Sequence, residues 1–359
     1  MANYKKSLAA LCSCLRGELP KNVDWVSLIG LANDTLTTPG LMTFVDHFQH
    51  EIPPPVRNYV REISVRNQER NQRLFNQLSD ALRALNGVGV TPVLLKGTAR
   101  LATAESTADV ARLISDLDIM VASEEAHIAL EALSAIGYRV FFQAPNGASK
   151  WYVDLERDGD VGMIDLHQQL PGHDYFYRSL GNIRQHCSLT LSRIGTAYVP
   201  LPIYQALILI VHDQFQDFDY WTGNIDLRHL IDLRELASSA EGLDWYLLSA
   251  MSASKLYRNA LETQLVALHS LFDVDVPREL RTRLTPRLQF RRRLIQSRIP
   301  LLRSALLATA LLDYKNYRGE VGAEERKKKT SRQQRWSLPK MNSLRHLLDL
   351  SAEKRPGKV

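Results

Sequence analysis

Helical periodicity runs through most of this chain and breaks between residues 88 and 170, where short apolar and β-branched runs alternate with turn residues. VTPVLLKG (90–97) predicts a strand ending in a glycine turn, TARLATAEST a short helix and loop, and LISDLDIMV (113–121) a second strand. SEEAHIALEALSAIG predicts a helix, with Ser123 as N-cap, two acids in the first turn and Gly137 as its stop. YRVFFQ, KWYVDLER and VGMIDLHQQL predict three more strands, the last two separated by the DGD turn at 158–160. A β-α-β-α-β-β-β unit set between helical segments makes the fold α+β, a small mixed sheet with flanking helices.

The flanks read as helix. WVSLIGLAN and LMTFVDHFQH are amphipathic pieces, and the prolines at 53–55 open a long helix that Gly87 ends. From 203 onward the chain is helical again, through IYQALILIVHDQF, NIDLRHLIDLRELA and a run from 277 to 313. The expected organisation is an N-terminal helical region (1–87), a core (88–200), a helical C-terminal domain (201–321) and a basic, flexible tail (322–359).

Composition excludes several classes. The chain has 359 residues, and no apolar run in it approaches the roughly 18–20 residues that cross a bilayer. The interrupted apolar run near the N-terminus reads as an amphipathic helix rather than a signal peptide. Cys12, Cys14 and Cys187 offer neither a disulfide framework nor a paired zinc spacing, and they fit a reducing cytoplasm. The net charge of +6 is concentrated toward the C-terminus, which suits polyanions without selecting one.

Within the predicted sheet, Asp116 and Asp118 are two residues apart, so they share one strand face. Two adjacent carboxylates repel unless something neutralises them. Asp165 sits inside another strand, MIDLH, and Lys96-Gly97 ends the first. Carboxylates on neighbouring strands can hold Mg²⁺, which prefers oxygen ligands and often completes its octahedron with substrate phosphates. A glycine at a strand–helix turn lets backbone approach phosphate, and a helix N-terminus favours negative charge.

The order Leu95-Lys96-Gly97, Asp116-Leu117-Asp118 and Asp165-Leu166-His167, followed by His212 and by Arg228 with Asp232, resembles the bacterial family of uncharacterised nucleotidyltransferases. That family lies within the polymerase-β-type nucleotidyltransferase superfamily. The resemblance covers roughly 55–240 and implies transfer of an NMP from an NTP, ATP by default, to an unidentified acceptor oxygen. It implies Asp116, Asp118 and Asp165 as ligands of two Mg²⁺ ions, with Mn²⁺ as an alternative. Lys96, Gly97, Thr98, Arg112, His167 and His212 are the candidate nucleotide-binding residues. Lys96 and Thr98 flank the glycine where the wider superfamily carries a Gly-Ser pair.

Each residue also has a plainer reading. Lys96 suits a snorkelling strand end and Arg112 a surface arginine. His167 and His212 suit packed core histidines, and Arg228 with Asp232 a local i, i+4 ion pair. The arginines at 287, 291, 292, 293 and 298, with the block Arg326–Arg335, suit either a solvated helix face and tail or an RNA grip. Two alternative functions follow: a nucleotide-binding or regulatory module with weak turnover, and a toxin-like enzyme that modifies RNA or tRNA.

Overall fold

The computed structural model describes residues 2–144, 151–192, 194–239, 242–252 and 254–299, with positions 302 and 306. The expected tail at 322–359, its Arg326–Arg335 block and the end of the last helical run lie outside the described residues. The helices are α1 (Ala2–Arg16), α2 (Trp25–Asp34), α3 (Met42–His47), α4 (Pro54–Gly87), α5 (Lys96–Thr103), α6 (Ala126–Ala135) and α7 (Pro202–Val211). They continue as α8 (Asp219–Thr222), α9 (Leu227–Ala237), α10 (Trp245–Ala250), α11 (Lys255–Phe272) and α12 (Leu284–Arg298). The strands are β1 (Val93–Leu94), β2 (Leu117–Met120), β3 (Arg139–Gln143), β4 (Tyr152–Glu156), β5 (Ile164–His167), β6 (Cys187–Ser192) and β7 (Gly195–Pro200).

The β-α-β-α-β-β-β order expected from the sequence is present, and the fold is α+β. The chain divides into two compact units. One comprises Thr37–Pro171 and Leu180–Ile208, and holds a mixed seven-stranded sheet ordered β3-β4-β5-β2-β1-β7-β6. The β6–β7 hairpin was not anticipated from the sequence; β7 runs parallel to β1 and extends the sheet on that side.

The division cuts across the segment boundaries expected from sequence texture. Helix α4, assigned to the N-terminal region, belongs to the sheet unit. Its Leu74, Leu78, Ala81, Leu82 and Leu85 recur at three and four residues and are buried in one core with Leu117, Ile119, Val153, Leu155, Ile164 and Leu166. An apolar stripe this long needs a partner surface, and one face of the sheet supplies it. At α6, Ser123 is not the cap: the helix starts at Ala126 after a turn in which the Glu125 carboxylate accepts the Ala122 N–H at 2.9 Å.

The other unit comprises Met1–Leu36, Gly172–Ser179 and the chain from Leu209. There Arg16 donates to the Leu271 carbonyl at 2.6 Å and Arg234 to the Leu15 carbonyl at 2.7 Å, which ties α1 to the ends of α11 and α9. Cys12 and Cys14 are buried, and burial pushes both thiols up to about 12, as expected of bystander thiols. Arg292 and Arg293 correct the solvated-face reading of α12. Arg292 donates to the carbonyls of Tyr220 and Trp221, and Arg293 is fully buried and donates to Gln214. Among the described residues, no helix is long and apolar enough to cross a membrane.

Candidate active site

Strand register assembles the site. β2 and β5 are parallel, with Asp118 opposite Asp165 and Met120 opposite His167. β4 is antiparallel to β5 and places Asp154 opposite Asp165. Residues opposite one another in a ladder point to the same face. Asp118, Asp165 and Asp154 therefore form one row on the sheet face that does not carry the α4 core. Asp116, two residues before Asp118, continues that face.

Helix α4 positions the strand starts. Arg70 donates to the carbonyls of Ile114 (3.1 Å), Ser115 (2.9 Å) and Val161 (2.6 Å), joining the approaches to β2 and β5. Asn71 holds the carbonyls of Val110 and Arg112, and Gln77 that of Gly162. A Cβ on Gly162 would stand 2.8 Å from the Ser115 carbonyl, so only glycine permits this approach.

The turn after β1 leads directly into α5. Lys96, not Gly97, has the left-handed backbone, at φ 48°, a conformation costly for a residue with a Cβ. Gly97 keeps this approach close: an added Cβ would lie 3.2 Å from Ile114 and 3.3 Å from Arg112 Nη1, so those side chains would have to shift slightly. Arg112 therefore stands over the N-terminus of α5, whose first amides have no intrahelical acceptor and no side-chain cap. Thr98, a candidate nucleotide-binding residue, also ties the turn to β2. It is buried, and its hydroxyl accepts the Asp118 N–H at 2.8 Å.

The charges are tightly coupled. Lys96 Nζ lies 2.7 Å from Asp118 Oδ1, and His167 Nε2 lies 3.3 Å from the same oxygen. Burial opposes charge on Asp118, yet the Lys96 ammonium and His167 together hold its carboxyl well below the usual range. Burial likewise opposes charge on Lys96, and Asp118 and Asp116 outweigh it and keep the amine protonated. Burial and the Asp118 charge push Asp116 up. Asp165 makes no hydrogen bond or ion pair with the described residues. Burial, then repulsion from Asp116, Asp118 and Asp154, pushes its carboxyl up to about 8.

This donor set fits a divalent cation. Ligand atoms of Asp118, Asp165 and His167 lie within 4.8 Å of one another, and the row has more negative charge than Lys96 balances. Asp154 was missed from sequence. YVDLE alternates as IDLH does, with Val153 and Leu155 inward and Tyr152, Asp154 and Glu156 on the other face. That alternation was the available signal.

The folded-state pKa of Asp165 lies above the unfolded value, so the folded chain binds the extra proton between about pH 4 and 8. The stability it contributes is complete below the unfolded pKa and is lost as pH rises through about 8. In EDTA, Asp165→Asn is expected to raise Tm over wild type by roughly 5–10 °C at pH 8.5, from on the order of 3 kcal/mol, and by much less at pH 5.5. Thermal unfolding at the two pH values checks this; a pH-independent difference contradicts it.

His212 belongs to the helical unit. It opens a π-helical turn (His212–Gln216), with Nδ1 3.7 Å from Asp217 and its ring edge-on to His229 at 5.5 Å. A second grouping there, Asp213, Asp226 and His229, is also within 4.8 Å but fully buried and met by the protein's own donors. Asp226 accepts the N–H groups of Arg228 and His229 as the cap of α9, and Asp213 accepts from Gln214 and Gln264. Arg228 pairs with Asp226, the capping carboxylate of its own helix, at 3.3 Å.

The carboxylate row thus lies on a mixed sheet beside a strand–helix turn bearing Lys96. The family model described as "Uncharacterised nucleotidyltransferase" matches residues 21–273, well over half of the chain. The chain belongs to that family of nucleotidyltransferases. Comparison with curated proteins and with solved structures gave no match.

Proposed function

We propose that the protein transfers an NMP, by default AMP from ATP, to an acceptor hydroxyl and releases pyrophosphate, in the manner of polymerase-β-type nucleotidyltransferases. The row Asp118–Asp165, with Asp116 on the same face, carries this reading. Asp116, Asp118 and Asp165 hold Mg²⁺, as two ions, with Mn²⁺ able to substitute. When bound, the metal supplies charge neutralisation on the triphosphate and lowers the pKa of the attacking oxygen.

The residues have separate tasks. Lys96 and Arg112 offer cations, and the first amides of α5 offer donors, to the β- and γ-phosphates. His167 orients the Asp118 carboxylate through its 3.3 Å contact. Asp165 takes the proton of the acceptor hydroxyl as the new oxygen–Pα bond forms and the bond from Pα to the bridging oxygen breaks. Pyrophosphate carries away the electron pair.

Label position tests the reaction. With Mg²⁺ and a cell extract, α-³²P-ATP is expected to label an acceptor and γ-³²P-ATP is not, and EDTA is expected to stop the labelling. Labelling from the γ position alone would indicate a kinase and end this reading.

A further inference from the structure

His167 follows Asp165 by two residues on β5, so both side chains leave the strand on the carboxylate face. Tyr152 stands opposite it on β4, with the two ring centroids 6.3 Å apart, and backs the imidazole on the side away from β2. The Nε2 atom lies 3.3 Å from Asp118 Oδ1, and ligand atoms of Asp118, Asp165 and His167 are all within 4.8 Å of one another.

As a hydrogen bond that separation is long, since N–H···O bonds run between about 2.7 and 3.2 Å and charge-assisted ones are shorter still. Lys96 approaches the same Asp118 oxygen at 2.7 Å, well inside that range, so the length is peculiar to the histidine. As one edge of a metal polyhedron 3.3 Å is ordinary. With bonds of about 2.0–2.2 Å, neighbouring ligand atoms lie about 3.0 Å apart in an octahedron and about 3.4 Å apart in a tetrahedron. Asp165 makes no hydrogen bond or ion pair with the described residues, which leaves its carboxylate available to the same ion. The helical unit gives the contrast: there Asp213 is met by Gln214 and Gln264, and Asp226 by Arg228, so the histidine-bearing trio is closed by the protein itself.

We propose that His167 is itself a metal ligand, so that one ion of the proposed transfer, on which this inference rests, binds a mixed set of Asp118, Asp165 and His167 that favours Mn²⁺ over Mg²⁺. The set departs from one made of carboxylates alone. Mg²⁺ prefers oxygen throughout, whereas a nitrogen donor raises affinity for first-row transition ions. The full chain with Mn²⁺ alone, without nucleotide, tests the assignment. Pulsed electron paramagnetic resonance of the bound Mn²⁺ is expected to show coupling to a directly bonded nitrogen in wild type and none in His167→Gln. By calorimetry, His167→Gln is expected to weaken Mn²⁺ binding by about tenfold or more while Mg²⁺ binding stays within about threefold.

A histidine that only orients Asp118 would also weaken metal binding when replaced, but equally for both ions and with no bonded nitrogen. No nitrogen coupling in wild type, coupling that persists in His167→Gln, or equal losses for Mn²⁺ and Mg²⁺ therefore overturns the proposal. The wild-type spectrum decides the first of these whatever the stability of the variant. Asp118→Asn, titrated alongside, separates the two levels. Mn²⁺ binding that is lost in Asp118→Asn but carries no nitrogen coupling in wild type removes His167 and keeps the metal centre. Mn²⁺ binding unchanged in Asp118→Asn overturns the metal centre of the transfer reading, and this inference with it.

Discussion

Asp118→Asn is expected to reduce nucleotide transfer by about 10³-fold or more with the fold retained. Asp118 is 3 % exposed, receives Lys96 at 2.7 Å and His167 at 3.3 Å, and is locked at the backbone through Thr98 and Leu95. Asparagine keeps the shape and removes the charge that would hold metal at the reacting phosphate. Losing one preorganised electrostatic group of this kind costs about 10²–10³ in rate, and a metal ligand adds to that. Asp158→Asn, at an 89 % exposed carboxylate beside Arg139, is the matched control and is expected to leave transfer unchanged. Label transfer from α-³²P-ATP, normalised to folded protein by circular dichroism, measures both. Transfer by Asp118→Asn within tenfold of wild type would sink the metal-centre assignment.

Lys96→Met is expected to destabilise the metal-free protein by about 3–5 kcal/mol, because it strips a buried carboxylate of its nearest cation. That corresponds to a fall of roughly 6–15 °C in Tm. Added Mg²⁺ or Mn²⁺ is expected to recover most of the loss, since a divalent ion beside Asp118 replaces the missing charge. The gain from metal should thus be larger in the variant than in wild type. Lys96→Gly separates charge from backbone. It removes the same ammonium but accepts φ 48° without a Cβ, and is expected to lie about 1 kcal/mol above Lys96→Met in stability. Thermal unfolding with and without Mg²⁺ reads all three proteins. A Lys96→Met protein as stable as wild type in EDTA would mean that the pair contributes nothing to the fold.

Much of the sheet was legible because strand alternation is local. SDLDIMV and MIDLH announce which side chains share a face, and the β-α-β-α-β-β-β order follows from runs and turns read one after another. Other features were not legible, for a physical reason. Asp154 becomes a neighbour of Asp165 only because β4 pairs antiparallel with β5 in one register, and pairing partners are not written in either strand alone. The CSLTLSRIGTAYVP hairpin alternates only weakly; its place beside β1 is set by contacts about a hundred residues distant along the chain.

The helix α4 shows the same limit. Its apolar stripe at three and four residues predicts that one face is buried, but not that the covering surface is the carboxylate-bearing sheet. Arg70, Asn71 and Gln77 look like ordinary polar positions of a charged helix. They become clasps on the approaches to β2 and β5 only once the helix is docked. Arg292 and Arg293 go the other way: their composition suggests a wet face, and packing buries them.

The sequence by itself determined the residue types of the centre and the face each takes on its own strand, since backbone alternation needs no partner. Tertiary structure decided which faces meet. It set Lys96 in a left-handed turn against Asp118, turned Thr98 inward to hold the strand, and added Asp154 to the row. Each of these depends on groups far apart in the chain being brought within hydrogen-bonding or Coulombic reach, and only the packed sheet does that.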